Sequence, residues 1–260
     1  MGHIRLGQLP RTRKWNEVVE LLRSGETAPG VAAAALDAAE EGFRRAADDL
    51  GFTKALWLLT QLPLAARAPD YLGRLKAIGV DVEHEPGPMA LVGAFTDALD
   101  AAMRAGGRTD IGEIAQMSAA ETLARELRKS TASLFGTTAA DVRRDLASWA
   151  TTKQFGTLAR EFFSAVTRRY LAFYLSRELS NHVGGNRRFA NSSEHAQFDD
   201  ALDLYCRQAT RIVEEFAGGW FSKTNWEQGT ITQEAVRTEF SFIALKKLRA
   251  ELKRGGGTTS

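Results

Sequence analysis

Residues 152–181 read TKQFGTLAREFFSAVTRRYLAFYLSRELSN, and their periodicity decides the fold. At about 100° per residue, Phe155, Ala159, Phe162, Val166, Tyr170 and Phe173 share one stripe, which marks a long helix with a buried face. Arg169 and Arg177 fall on the same stripe. A guanidinium there must meet a carboxylate, a carbonyl or a bound anion, because an unpaired charge is expensive to bury. A structural ion pair is the first expectation and an anion-binding role the second.

Helical spacing continues outward from this stretch. Toward the N terminus it predicts helices near 13–24, 31–50, 52–62, 71–78 and 91–106, with stops at Gly25, Gly51 and Gly106–Gly107 and an end or kink at Pro63. Asp110 with Glu113, Ser118 with Glu121, and Thr138 with Asp141 have the spacing of a cap and its acidic partner, and predict three helix starts. Toward the C terminus, helices are predicted near 193–217 and 233–253, the second entered through Thr232 with Ile231 and Val236 as a hydrophobic staple. No run alternates apolar and polar residues as a strand does. The expected fold is all-α, an irregular bundle of eight to nine helices without significant β-sheet. Breaks at residues 79–88 and at Gly106–Gly107 predict an N-terminal helical region over 1–107, a C-terminal bundle over 108–254 and a disordered tail over 255–260.

Composition agrees with a globular chain. Of 260 residues, 44% are hydrophobic and 25% charged, and 34 basic against 32 acidic residues give a net charge of +2, which excludes a polybasic nucleic-acid tail or a disordered chain. Charge is uneven along the chain: residues 31–110 carry eight basic and twelve acidic residues, and residues 111–260 carry 21 and 17. A lone cysteine, Cys206, rules out a disulfide within the chain. The longest apolar run, Ala55 to Leu64, is too short to span a bilayer, and the basic opening without an apolar stretch behind it is not expected to be a secretory signal. Forty alanines, with 25 arginines against nine lysines, suggest a bacterial origin, and a cytoplasmic location is expected.

The nucleotide, metalloprotease, hydrolase and CxxC frames are missing, which favours a non-catalytic chain. Four places remain where function can sit. NHVGGNRRFANSSEH, residues 181–195, puts Arg187 and Arg188 ahead of a helix start marked by Asn191 and Ser193, so a phosphate there would meet two guanidinium groups and free backbone N–H donors. His195, Asp199 and Asp203 recur at i, i+4, i+8, with His182 one loop away, the kind of set that can hold a divalent metal in a phosphoesterase. Arg11, Arg13 and Lys14 form a basic arm before Trp15 that can meet a polyanion. Trp220, Phe221 and Trp226, in GGWFSKTNWEQG, are expected in a glycine-flanked loop, as a plug or as a partner anchor.

The ordinary structural roles of these residues, as caps, ion pairs and solvated charges, outweigh the chemical ones. The preferred expectation is an interaction subunit of a multi-protein assembly that binds a protein partner and touches nucleic acid or another polyanion through its basic segments. No cofactor is expected. The alternative is a metal-assisted enzyme acting on a phosphate ester through His182, His195 and Asp199.

Overall fold

A computed structural model describes residues 9–130, 138–185 and 187–256. Among them are twelve helices when residues 233–256 are taken as one, and no strand; Val183 and Phe189 form an isolated bridge. In chain order the helices are α1 (Arg13–Arg23), α2 (Ala28–Ala38), α3 (Glu40–Ala46), α4 (Leu50–Arg67), α5 (Tyr71–Ala77), α6 (Pro88–Gly106), α7 (Asp110–Ser130), α8 (Ala139–Ser148), α9 (Thr152–Asn181), α10 (Ser192–Ala209) and α11 (Arg211–Gln228). The last helix, α12, joins Gln233–Ala235, a π-helical stretch Val236–Ser241 and Phe242–Gly256.

The all-α class is as the sequence implies, but the helices number twelve rather than eight or nine. The predicted helix over 31–50 is two, parted at Ala39, whose backbone leaves the helical region at φ −94° and ψ 9°. The predicted helix over 193–217 ends at Thr210, whose hydroxyl donates to the carbonyls of Cys206 and Arg207 and loosens the ladder there. Pro63 does not end α4, because Leu59, Leu62, Ala65 and Ala66 are packed on either side of it and tertiary contact carries the helix through. Thr138 and Asp141 form a true capping box. Thr109, not Asp110, caps α7, its hydroxyl accepting from Gly112 N at 2.9 Å. Ser118 starts no helix and lies buried inside α7. The last helix reaches Gly256, two residues into the expected tail, and residues 257–260 lie outside the described residues.

The predicted stripe on α9 is buried from Phe155 to Tyr170, and Phe163 buries a second side, so α9 is wrapped rather than laid on a surface. An aromatic chain ties four helices together. Phe52 of α4 lies 5.7 Å from Phe162, Phe221 of α11 stacks at 4.1 Å on Phe155, and Phe240 of α12 meets Phe163 at 6.2 Å. The apolar core runs without interruption from Trp15 to Leu252 and draws residues from both sides of position 107.

Two glycines let α9 and α11 touch backbone to backbone. A Cβ on Gly156 would stand 2.4 Å from Glu214 O, and one on Gly218 would stand 2.2 Å from Thr152 O. Gly218 therefore serves close packing inside a helix. The expected aromatic loop after it does not exist: residues 218–228 are the C-terminal half of α11.

Candidate functional site

The connection between α9 and α10 holds the arginines singled out from the sequence. Gly184 and Gly185 take left-handed backbone, φ +86° and +63°, and the turn closes through Gly184 N to Phe189 O at 2.8 Å and Phe189 N to His182 O at 3.0 Å. This geometry swings Arg188 inward. Its guanidinium donates to the carbonyl of Leu22 at 2.9 Å, to that of Leu21 at 3.4 Å and to that of Glu26, and lies 4.6 Å from the Phe198 ring. Arg188 thus adds charged donors to carbonyls at the end of α1, where Leu21 O also accepts from Glu26 N at 3.0 Å and Leu22 O from Gly25 N at 3.4 Å. Arg187 points outward, exposed, and donates to Asn181 O at 2.9 Å. The helix donors offered to a phosphate are also in use, since Asn191 Oδ1 accepts from Ser193 N and Glu194 N at 2.9 and 3.1 Å. The loop is a structural clasp across the chain.

Charged residues instead concentrate between α7, α9 and α10. Arg169 pairs with Glu121, as its place on the stripe implies, and Arg125 pairs with Glu161 at 2.5 Å. Burial alone would raise the Glu121 carboxyl, but Arg169, with help from Arg168 and Arg125, holds it below its ordinary value. Asp203 receives Arg207 at 2.8 Å and Arg168 at 3.5 Å. A cleft of about 190 Å³ opens beside this network, with Ser164, Asp199 and Asp200 in its wall. The side chain of Arg177 lies outside the described residues.

This arrangement does not assemble the metal set suggested by spacing. His195 Nε2 lies 3.6 Å from Asp199 Oδ2, but Asp203 is committed to two arginines and His182 caps the end of α9. Burial raises the Asp199 carboxyl, against the pull of His195. Among the described residues, no three His, Cys, Asp or Glu side chains are placed to hold a metal ion.

The basic arm is largely engaged as well. Arg13 pairs with Glu17 at 2.9 Å, and Lys14 reaches Asp37 at 2.7 Å, which raises the lysine above its usual range. Trp15 is buried against Tyr174, and among the described residues only Arg11 of the arm stands exposed without an ion pair.

The three aromatics predicted for a loop separate along α11. Phe221 is a core residue, as the plug reading implied, though it enters the core from a helix. Trp220 is half-buried, stacked 4.6 Å from Phe240 with its Nε1 donating to Glu239 at 3.3 Å. Trp226, in the last turn, is 89% exposed. Its neighbours Asn225, Gly229 and Thr230 line a cleft of about 260 Å³ against Leu64, Ala68 and Ile78.

A further apolar groove, between α3 and α12, was not visible in the sequence. Phe43, Ala47, Phe242 and Leu245 line it, and Phe242 is 51% exposed. The only sequence signal is Phe242–Ile243 before Lys246–Lys247. Cys206 is enclosed in the core, where burial pushes its thiol up to about 12, so it is no nucleophile. Among the described residues no helix is long and apolar enough to cross a membrane. Comparison with protein-family models, with curated proteins and with solved structures found no match for this chain.

Proposed function

We propose that the chain is a non-catalytic helical interaction module that holds a protein partner at the end of α11, with Trp226 as the anchor. One observation carries this reading: an indole 89% exposed, next in sequence to residues that line an open cleft. A side chain this large in water contributes almost nothing to the fold, whereas a tryptophan beside a cleft is the residue type that dominates binding energy in protein interfaces. The engagement of Arg188, Arg13 and Lys14 within the chain supports a protein partner over a polyanion. The pairing of Asp203 with Arg207 and Arg168 weighs against the phosphoesterase alternative.

The test compares the parent with Trp226→Ala in affinity capture from extracts of the source organism, followed by binding measurements with each purified protein retained. The variant should melt with the parent, since little is buried, and should lose a partner that the parent keeps, with affinity falling by roughly 30-fold or more. Capture of the same proteins at the same affinity by both forms would remove Trp226 from any interface.

A further inference from the structure

The groove between α3 and α12 has a built character that Trp226 does not explain, and it shares no lining residue with the cleft at the end of α11. Phe43, Ala47 and Leu245 are buried apolar residues that form its floor, and Phe242 stands beside them half in solvent. Its other lining residues, Arg44, Lys246 and Arg249, are all cations, and no carboxylate lines it. Arg44 is shared with Glu41 and Arg249 with Glu40, while Lys246 makes no ion pair among the described residues. From Phe242 to Gly256 the helix carries Lys246, Lys247, Arg249, Lys253 and Arg254 against a single acid, Glu251.

Phe242 lies two residues beyond Phe240, about 200° around the helix, and so faces away from the side on which Phe240 is buried. The π-helical stretch Val236–Ser241 lies immediately before Phe242. Bonding i to i+5 places an extra residue in the turn, which rotates everything beyond it by about 100° relative to a continuous α-helix. Phe240 is fully buried, and Phe242 and Ile243, 51% and 37% exposed, lie at the surface. Such insertions are rare and recur at functional sites. Beyond it, Leu245, Leu248 and Leu252 keep the helix anchored in the core.

We infer that this groove is a docking site for an acidic amphipathic helix of a partner protein, which inserts one leucine or phenylalanine over Phe43 and Leu245 and sets a carboxylate against Lys246, with Arg249 and Arg44, each already paired, at the rim. A volume of about 200 Å³ suits one such anchor side chain. The cation-only lining sets the charge of what flanks that anchor, by electrostatic complementarity. A nucleobase fits less well, because the floor offers no hydrogen-bond partner for its edges. A lipid surface fits less well because the apolar floor is recessed, whereas membrane binding buries a protruding apolar face at the headgroup–acyl boundary.

The experiment uses the full chain and a set of fluorescently labelled amphipathic helical peptides with Phe or Leu anchors, in a glutamate-rich and a matched lysine-rich form. Anisotropy should show saturable binding of glutamate-rich peptides only, weakening as salt rises. Phe242→Ser should weaken it by roughly 30-fold or more, and Lys246→Glu by about three- to tenfold with a shallower salt dependence. Trp226→Ala should leave it unchanged, so failure here and failure of the Trp226 reading are told apart. Lys246 is exposed, and its variant decides the matter if Phe242→Ser does not fold. The proposal is overturned if no glutamate-rich peptide binds, if lysine-rich peptides bind equally, or if the Lys246 variant binds as the parent does. Binding to anionic phosphatidylglycerol vesicles or single-stranded DNA in place of the peptides overturns it too.

Discussion

Arg187 and Arg188 are chemically identical neighbours with opposite fates. Arg188 donates to three carbonyls around the end of α1 and lies against Phe198, whereas Arg187 makes one exposed contact to a carbonyl six residues away. Charge-assisted hydrogen bonds contribute more than neutral ones, and truncation removes three of them together with the contact to Phe198. Arg188→Ala should therefore lower stability by about 2–3 kcal/mol in denaturant unfolding, while Arg187→Ala should stay within about 0.5 kcal/mol of the parent. Arg188→Lys should not restore the loss, since an ammonium cannot span three acceptors as a planar fork does. Equal effects at the two positions would contradict the clasp. The sequence showed that two arginines follow a glycine turn, but not which turns inward. The acceptors of Arg188 lie more than 160 residues away, and no local pattern reports on them. Arg169 was legible for the opposite reason: its place on the α9 stripe required a partner, and Glu121 supplies it.

Helices were legible where periodicity was strong or a cap was explicit, as in α9 with its aromatic stripe and α8 with its capping box. They were misread where one residue type has two meanings. Gly218–Gly219 reads as a stop, yet Gly218 lies within α11 because the α9 backbone passes against it. Gly218→Ala would drive a methyl group to 2.2 Å from the Thr152 carbonyl oxygen, and Gly156→Ala would press on Glu214 O at 2.4 Å. No rotamer change relieves a clash with backbone, so the two helices must part. Each variant should lose about 1–3 kcal/mol by overpacking, despite the gain in helix propensity that alanine normally brings. Gly219, with nothing within 4 Å of an added Cβ, is the internal control and should tolerate alanine or gain from it. Loss of stability at Gly219 equal to that at Gly218 would mean that close packing is not the reason for the pair. The breaks at Ala39 and Thr210 escaped notice because neither alanine nor threonine signals a break by itself.

Across the whole molecule, the two ends of the described chain are joined through one carboxylate. Asp37 of α2 accepts from Lys14 of α1 at 2.7 Å and from Lys253 of α12, while Lys14 also donates to the Asp37 carbonyl at 3.2 Å. The Lys14 hydrogen bond, then that of Lys253, holds the Asp37 carboxyl below its ordinary 3.8. A carboxylate with a depressed folded pKa binds fewer protons folded than unfolded, so it adds stability above its ordinary value and loses it as acid protonates the folded state. Asp37→Asn should accordingly lower the melting temperature at neutral pH. That difference should narrow as pH falls below 3.8 through the depressed folded value, and close once both states are protonated. Because the three side chains are partly exposed, the neutral-pH difference should also shrink in high salt, as screening predicts. Melting curves of parent and variant across acid and neutral pH, at two ionic strengths, decide it. A difference that persists unchanged into strong acid would show that Asp37 acts through packing in α2 rather than as the charge that ties α1 and α12 together.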